Sequence, residues 1–483
     1  MSAGFARWAI ALLPALALSA CGGTRLSHEE ILAALNAGGG AASVPAGGGQ
    51  ASVSTGGSAT PGVMARGGSP LGGASAGGVS AGGTTVGGTA TTGMTGNRTA
   101  RGAGTPAHST LAPASAPSLP GASGAPILLG NVGNYSGPAG SSTSAAPTAL
   151  RVWAQWVNAH AGIAGHPVEV FTADDGADPA RSRSLIQDMV ENRHVIAFVG
   201  NMTIQTSDAG VSYLEQKHVP VIGGDLTTSQ WTSSPVFFPM GTSWLPLIES
   251  TLKSAHDAGA TRVAVLYCVE SSACDVTNRH VNDTAARYGE QVVYTSRVTV
   301  TQPDYTAQCL GAQQNGAQAI WLGVDAGSQQ RIANSCARQN YHPLYLVPNV
   351  ASTTEEAQTP ALDGTIAPAP VFPWMVSGGN PEIDAYHQAM QEYAPGVEGS
   401  GSTAIQWVSG ELFRKAAANV GDMPTSDAIL NGLWALKNET LGGLTPPLTY
   451  AAHQPSPQVT CYYITRISGG RWTAPYGAKY QCL

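Results

Sequence analysis

The sequence predicts an α/β protein of parallel sheets with helices on both faces, and three observations carry that expectation. From Pro126 onward, short apolar runs alternate with helical patterns. The runs Val195–Gly200 and Val219–Gly223 are apolar almost throughout, as strands buried on both faces are. Repeated β-α-β units of this kind form parallel sheets covered by helices. The segment before them, by contrast, is too rich in glycine to build a core.

Ile127–Gly130 reads as the first strand. Pro147–His160 reads as a helix, with Leu150, Trp153 and Val157 on one face and Gly162 beyond its end. Val168–Phe171 is a strand that runs into Asp174-Asp175. Asp178-Pro179 supplies the N-cap and first-turn proline of the next helix. After Val219–Gly223 the rhythm continues. Strands are expected at Arg262–Tyr267, Val292–Val298, Ala317–Gly323 and Leu344–Val347. Helices are expected at Asp275–Tyr288, from Pro303, and near Ser328–Gln339. Three helices follow, Pro381–Tyr393, Ser402–Val420 and Thr425–Leu436, and the tail Gln458–Ile467 alternates like a strand.

The N-terminus carries a separate signal. Met1–Arg7 is a short segment with one positive charge, and Trp8–Leu18 is apolar but too short to span a bilayer. Leu18-Ser19-Ala20-Cys21 then resembles a bacterial lipobox, which implies cleavage after residue 20 and a lipid on Cys21. Two or more acyl chains anchor a protein stably. Leu26–Leu35 reads as a short helix capped by Ser27. Gly38–Gly124 is a Gly/Ser/Ala/Thr tract that cannot offset its ordering entropy, so residues 21–125 are expected to be an anchored tether. Gly78-Val79-Ser80-Ala81-Gly82 matches GxSxG but lacks the strand and helix that a nucleophile elbow needs.

The net charge of −7 argues against a nucleic-acid partner. Neither HExxH nor a Walker A loop is present, and the scattered His194, His218, His256 and His342 lack ligand spacing. No metal, cofactor or catalytic residue is therefore expected. Setting Cys21 aside leaves six of the seven cysteines, an even number for a chain exported to an oxidising compartment. Spacing favours Cys268–Cys274, Cys309–Cys336 and Cys461–Cys482, although six cysteines also admit other pairings.

From Pro126 to the end the chain resembles the branched-chain-amino-acid-type, or type I, periplasmic binding proteins of ABC transporters. Gly130-Asn131-Val132-Gly133-Asn134-Tyr135-Ser136-Gly137-Pro138 is similar to the family's first strand and S-G-P turn. Val157–Gly165 resembles its "NAAGGINGR" segment, and Val195–Gly200 and Val219–Ile222 resemble two further strands. The order and spacing of these pieces carry the resemblance. It implies two Rossmann-like lobes joined by three crossings, near Gly241–Leu245, near Ala369–Trp374 and near the C-terminus. Lobe 1 would hold residues 126–243 with about 372–445, and lobe 2 residues 244–371 with about 446–483. It further implies an extracytoplasmic, monomeric binder of a small polar molecule (an amino acid, an amide or a related metabolite), a permease partner, and closure of the lobes on the ligand. A sensor or scaffold role is the alternative, and an envelope enzyme a more distant one.

The resemblance also maps a site. The loop after Val195–Gly200 places Asn201, Thr203, Gln205 and Thr206 where the family binds a carboxylate, and the next loop adds Asp225 and Thr227. The same residues would serve equally as helix caps. Asp325 and Asn349 align with the second-lobe positions that hold an ammonium, and Asn349 removes the expected negative charge. Tyr135 with Ser136, Trp231 and Trp374 are candidate walls, with core packing as the competing role, and Glu270 lies between Cys268 and Cys274.

Overall fold

The computed structural model describes residues 124–483. The expected signal segment, Cys21, the helix expected at Leu26–Leu35 and the expected tether up to residue 123 lie outside the described residues. Two sheets organise the rest. The first consists of β1 (Ile127–Gly133), β2 (Val168–Asp174), β3 (Ala197–Asn201), β4 (Val221–Gly224) and β5 (Phe237–Phe238), in the order β2-β1-β3-β4-β5. Every pairing in it is parallel. This is a doubly wound order whose switch point lies between β1 and β3, where such sheets bind ligands.

Helix α1 (Ala146–Ala159) covers this sheet because Leu150, Trp153 and Val157 fall on one buried stripe. Helix α2 (Pro179–Glu191) starts where Asp178 accepts hydrogen bonds from the amides of Ala180 and Arg181, at 2.8 and 3.2 Å. Helix α3 (Val211–Lys217) follows β3.

The second sheet contains β6 (Arg262–Cys268), β7 (Gln291–Val298), β8 (Ala319–Gly323), β9 (Leu344–Leu346), β10 (Ile366–Ala369), β11 (Cys461–Ile467), β12 (Trp472–Thr473) and β13 (Gln481–Cys482). Its path is β12-β11-β10-β9-β8-β6-β7, with β13 paired to β11. The sheet is parallel from β7 to β10 and antiparallel from there on. This edge adds antiparallel strands to the expected parallel sheet. The reason is topological: β10 runs out of this lobe toward the crossing and β11 runs in from it, so neighbours must point in opposite directions.

Helices α4 (Trp244–Asp257), α5 (Ser272–Thr284), α6 (Thr306–Gln314) and α7 (Ala326–Ala337) serve the second sheet. Helices α8 (Pro381–Tyr393), α9 (Gly401–Ala416) and α10 (Ser426–Ala435) return to the first, with α9 packed on α1, β3 and β4. A Cβ at Gly410 would lie 2.3 Å from the Trp153 ring, so glycine lets the α1 and α9 backbones approach. The Trp153 indole N–H donates to Glu411 at 3.0 Å. Cys268 is bonded to Cys274, Cys309 to Cys336 and Cys461 to Cys482. The middle pair joins α6 to α7, both of its residues fully buried.

Three backbone segments pass between the lobes side by side. The Thr242 amide donates to Pro370 O at 3.1 Å, and the Ser243 amide to Val459 O at 2.9 Å. The Ser243 hydroxyl accepts from the Val459 amide at 2.9 Å, and the Thr242 hydroxyl donates to Cys461 O at 2.6 Å. The crossings thus form a hydrogen-bonded ribbon with no helix in it. A Cβ at Gly241 would sit 2.2 Å from Pro370 O, a backbone atom that cannot swing aside. We expect Gly241→Val to cost about 1–3 kcal/mol through this overpacking. Urea unfolding of Gly241→Val beside Gly421→Ala, at an open position, checks this. Equal midpoints would remove the argument.

Candidate functional site

A cavity of about 790 Å³, counting space open to solvent, lies between the two sheets at the carboxyl ends of their strands. The first lobe contributes Pro138, Ala139, Ser142, Ile204, Gln205 and Thr227. The second contributes Val300, Val324, Asp325, Val350, Trp244, Trp321 and the Cys268–Cys274 bridge, among others. Among the described residues, no lysine or arginine borders it, and Asp325 is its one carboxylate.

The lobes also bond directly across the cavity mouth. Ser141 Oγ donates to Asp325 Oδ1 at 2.8 Å, and the Ala326 amide donates to Ser142 Oγ at 3.0 Å. Ser271 Oγ donates to Ile204 O at 3.2 Å. The first two contacts place a serine turn of the first lobe on the N-terminus of α7, where the capping carboxylate of Asp325 accepts from Ser141 and the unpaired Ala326 amide donates to Ser142 Oγ. The two lobes are therefore in contact across the cavity.

The sequence-derived candidates divide into two groups. Gln205, Thr227 and Asp325 border the cavity together. Asp325 also caps α7, accepting from the Ser328 amide and hydroxyl at 3.1 and 2.6 Å. Thr227 donates its hydroxyl to Asp225 Oδ2 at 2.7 Å, while the Thr227 amide donates to Oδ1 at 3.2 Å. Asp225 is 2% exposed and stands behind Thr227, outside the cavity lining. Burial pushes its carboxyl up to about 6, against the lowering effect of the two Thr227 bonds.

The other candidates lie away from the cavity. Asn201 accepts from the Val132 amide at 3.0 Å and, with Thr203, borders a separate small void inside the first lobe. Tyr135 folds back on β1, where its hydroxyl donates to Asn131 at 2.6 Å, and burial raises that hydroxyl far above its usual range. Ser136 is exposed and hydrogen-bonded to Asp174. Burial works against the Asp174 carboxylate, yet that bond and the amides of Gly176 and Tyr135 hold it below its ordinary value. Glu270 is occupied by the Thr299 hydroxyl and the Val300 amide, at 2.6 and 3.0 Å. Asn349 donates to Thr465 at 3.0 Å in the interior. Trp374 packs edge-on against Trp472, with centroids 5.7 Å apart, and Trp231 against Phe237 at 5.2 Å.

A buried network sets the position of Gln205. Asn134 accepts from the Gln205 amide at 2.8 Å and donates to Asp175 at 2.5 Å, and Thr206 donates to Asp175 at 2.6 Å. Sequence reasoning missed Ser141, Ser142, Ile204, Val300 and Trp321. The serines directly follow the S-G-P turn, which was a usable signal. The apolar residues gave none, because strand patterning marks Trp321 as core.

No curated protein matches this sequence. Solved structures match its fold. A possible leucine/isoleucine/valine-binding protein from Rhodopirellula baltica SH 1 superimposes with a TM-score of 0.65 at 16% identity, covering 74% of this chain and 98% of its own. A fatty acid ABC transporter substrate-binding protein from Thermomonospora curvata gives 0.65 at 18% identity, covering 74% and 93%. An ABC transporter solute-binding protein from R. palustris, in complex with benzoate, gives 0.61 at 15% identity, covering 74% and 98%. The periplasmic binding protein family model matches residues 126–471, which include the first sheet, the second sheet from β6 to β11, the crossings and the whole cavity lining. The chain belongs to the periplasmic binding protein family.

Proposed function

We propose that this chain is an extracytoplasmic solute-binding lipoprotein, anchored through Cys21, that captures a small molecule between its lobes and delivers it to an ABC permease. The observation that carries the reading is the interlobe cavity, with Gln205 and Thr227 on one side, Asp325 on the other, and a helix-free ribbon as the hinge. Such a ribbon absorbs rotation by small backbone changes. The Ser141–Asp325 and Ser142–Ala326 bonds exist only when the lobes meet, so they favour the closed state together with any ligand that touches both lobes. The solute is a small metabolite, an amino acid, an amide or a related compound. That one solved relative holds benzoate and another is named for fatty acids supports an apolar part in the solute. The chain acts by binding and carries no reaction.

Thermal denaturation of the full chain against amino acids, amides, polyols and small carboxylic acids tests this. A ligand at about 100 times its dissociation constant adds about 2.7 kcal/mol. The expected result is a selective hit that is weakened in Thr227→Ala and in Asp325→Ala. Absence of any hit, with no small molecule released from the purified protein on denaturation, would overturn the reading.

A further inference from the structure

The interlobe cavity does not end at the cleft. Trp321 and Thr277 are each only 1% exposed and belong to the interior of the second lobe, yet both border it. With them go Trp244 of α4 and Ala273 and Cys274 of α5. The space therefore continues between β8 and helices α4 and α5. Two features keep it open. The Cys268–Cys274 bond ties the first turn of α5 to the end of β6, which fixes one wall. A Cβ at Gly323 would lie 2.4 Å from Cζ3 of Trp321, so the indole rests where only a glycine leaves room.

The polar groups along this space are nearly all engaged within the protein. The Trp244 indole N–H donates to Thr277 at 2.8 Å, and Thr227, Ser142, Ser271 and Asp325 have the partners described above. Trp321 Nε1 and Gln205 Oε1 are buried without a partner among the described residues. One is a donor from the second lobe and the other an acceptor from the first. An anionic head group entering here would shed its water and meet no lysine or arginine among the described residues, and a cationic one would find Asp325 already engaged by Ser141 and Ser328, each at a large cost. A hydrocarbon group would meet valine, tryptophan and disulfide surface.

Resting on the solute-capture reading, we propose that this extension is an apolar subsite of the second lobe for the hydrocarbon part of an uncharged solute. The head of that solute carries one acceptor and one donor, as a primary amide does. The acceptor meets Trp321 Nε1 and the donor meets Gln205 Oε1, so the ligand satisfies one orphaned group on each lobe and draws the lobes together. An unsatisfied buried group is costly, so its pairing favours the bound state.

The test is calorimetric titration of the full chain with two series. The first is acetamide, butanamide, hexanamide and octanamide. The second is glycine, asparagine and glycerol. Affinity in the first series is expected to rise about four-fold per methylene until the subsite is full. Ala273→Phe, which fills the subsite from α5, is expected to weaken octanamide at least ten-fold and to leave butanamide within about three-fold. The unmodified chain decides the matter even if that variant misfolds, because chain-length dependence needs no substitution. Affinity independent of chain length overturns the subsite. Tight binding confined to the second series overturns it while solute capture stands. If neither series binds and no molecule is released on denaturation, both readings fall.

Discussion

Replacing Cys309 and Cys336 together by alanine is expected to lower stability by about 3.6 kcal/mol from loop entropy alone, for a sequence separation of 27. The same relation gives about 3.4 kcal/mol for Cys461–Cys482 and about 2.4 kcal/mol for Cys268–Cys274, with separations of 21 and 6. Burial widens the gap. Cys309 and Cys336 are fully buried between α6 and α7, so deleting both sulfurs also leaves a void in the second-lobe core. Cys482 is exposed and Cys461 only half-buried, so that pair adds little beyond loop closure. Urea unfolding of the three double-alanine variants measures the ranking. A loss under about 1 kcal/mol for the Cys309/Cys336 variant would mean that this pair does not crosslink the native chain.

Stability is expected to decline as pH rises from about 4 to 8, because three buried carboxyls, Asp225, Glu290 and Glu356, hold their protons more tightly folded than unfolded, burial raising Glu290 from 4.5 to about 8. Asp225 is raised by burial from an ordinary 3.8 to about 6. Glu356 is fully buried in the capping box of Thr353, where its Oε2 accepts from the Thr353 amide at 3.3 Å and its Oε1 has no partner. Burial raises it from 4.5 to about 8, with the charge of Asp325 adding to the shift and the Thr353 amide opposing it. For all three groups the sign is the same. The contribution is complete below the unfolded value and is lost as pH climbs through the folded value. Asp225 alone accounts for about 3 kcal/mol of this decline. The opposite trend belongs to more acid pH. Burial opposes the Glu249 carboxylate, but His280, Tyr288 and Arg287 outweigh it and hold the group below its ordinary 4.5. Melting curves between pH 4.5 and 8.5 check this. Glu356→Gln and Glu290→Gln are each expected to remove part of the upper half of the decline, and Asp225→Asn to flatten the lower half. A wild-type melting temperature that climbs steadily to pH 8 would contradict all three assignments.

Much of the architecture was legible in the chain because it rests on local chemistry. Asp178-Pro179 starts a helix wherever it sits, since the carboxylate caps the first amides and proline has no amide to lose. The helix expected at Pro381–Tyr393 occurs with those bounds. The continuous apolar runs became buried parallel strands, and the three favoured cysteine pairs are bonded. Short β5 and β10 escaped notice, since two to four residues carry too little periodicity to register.

The site was legible only as a set of loops. Tyr135, Asn201, Glu270 and Asn349 sit on the expected loops or strand ends, but each side chain is consumed by a partner within its own lobe. Which member of a loop turns toward the cavity depends on contacts made by residues far apart in the chain, such as Asn134 holding Gln205 across 71 positions. The antiparallel edge at β11 depends likewise on the direction in which the chain re-enters the lobe. Sequence by itself determined most of the strands, helices and caps and their order, because those follow from neighbours within a few residues, although α3, α4, β12 and β13 also went unpredicted. Only the tertiary structure decided that Ser141 meets Asp325 and that Trp321 borders the cavity, because burial and pairing are properties of what folds against a residue and not of the residue itself.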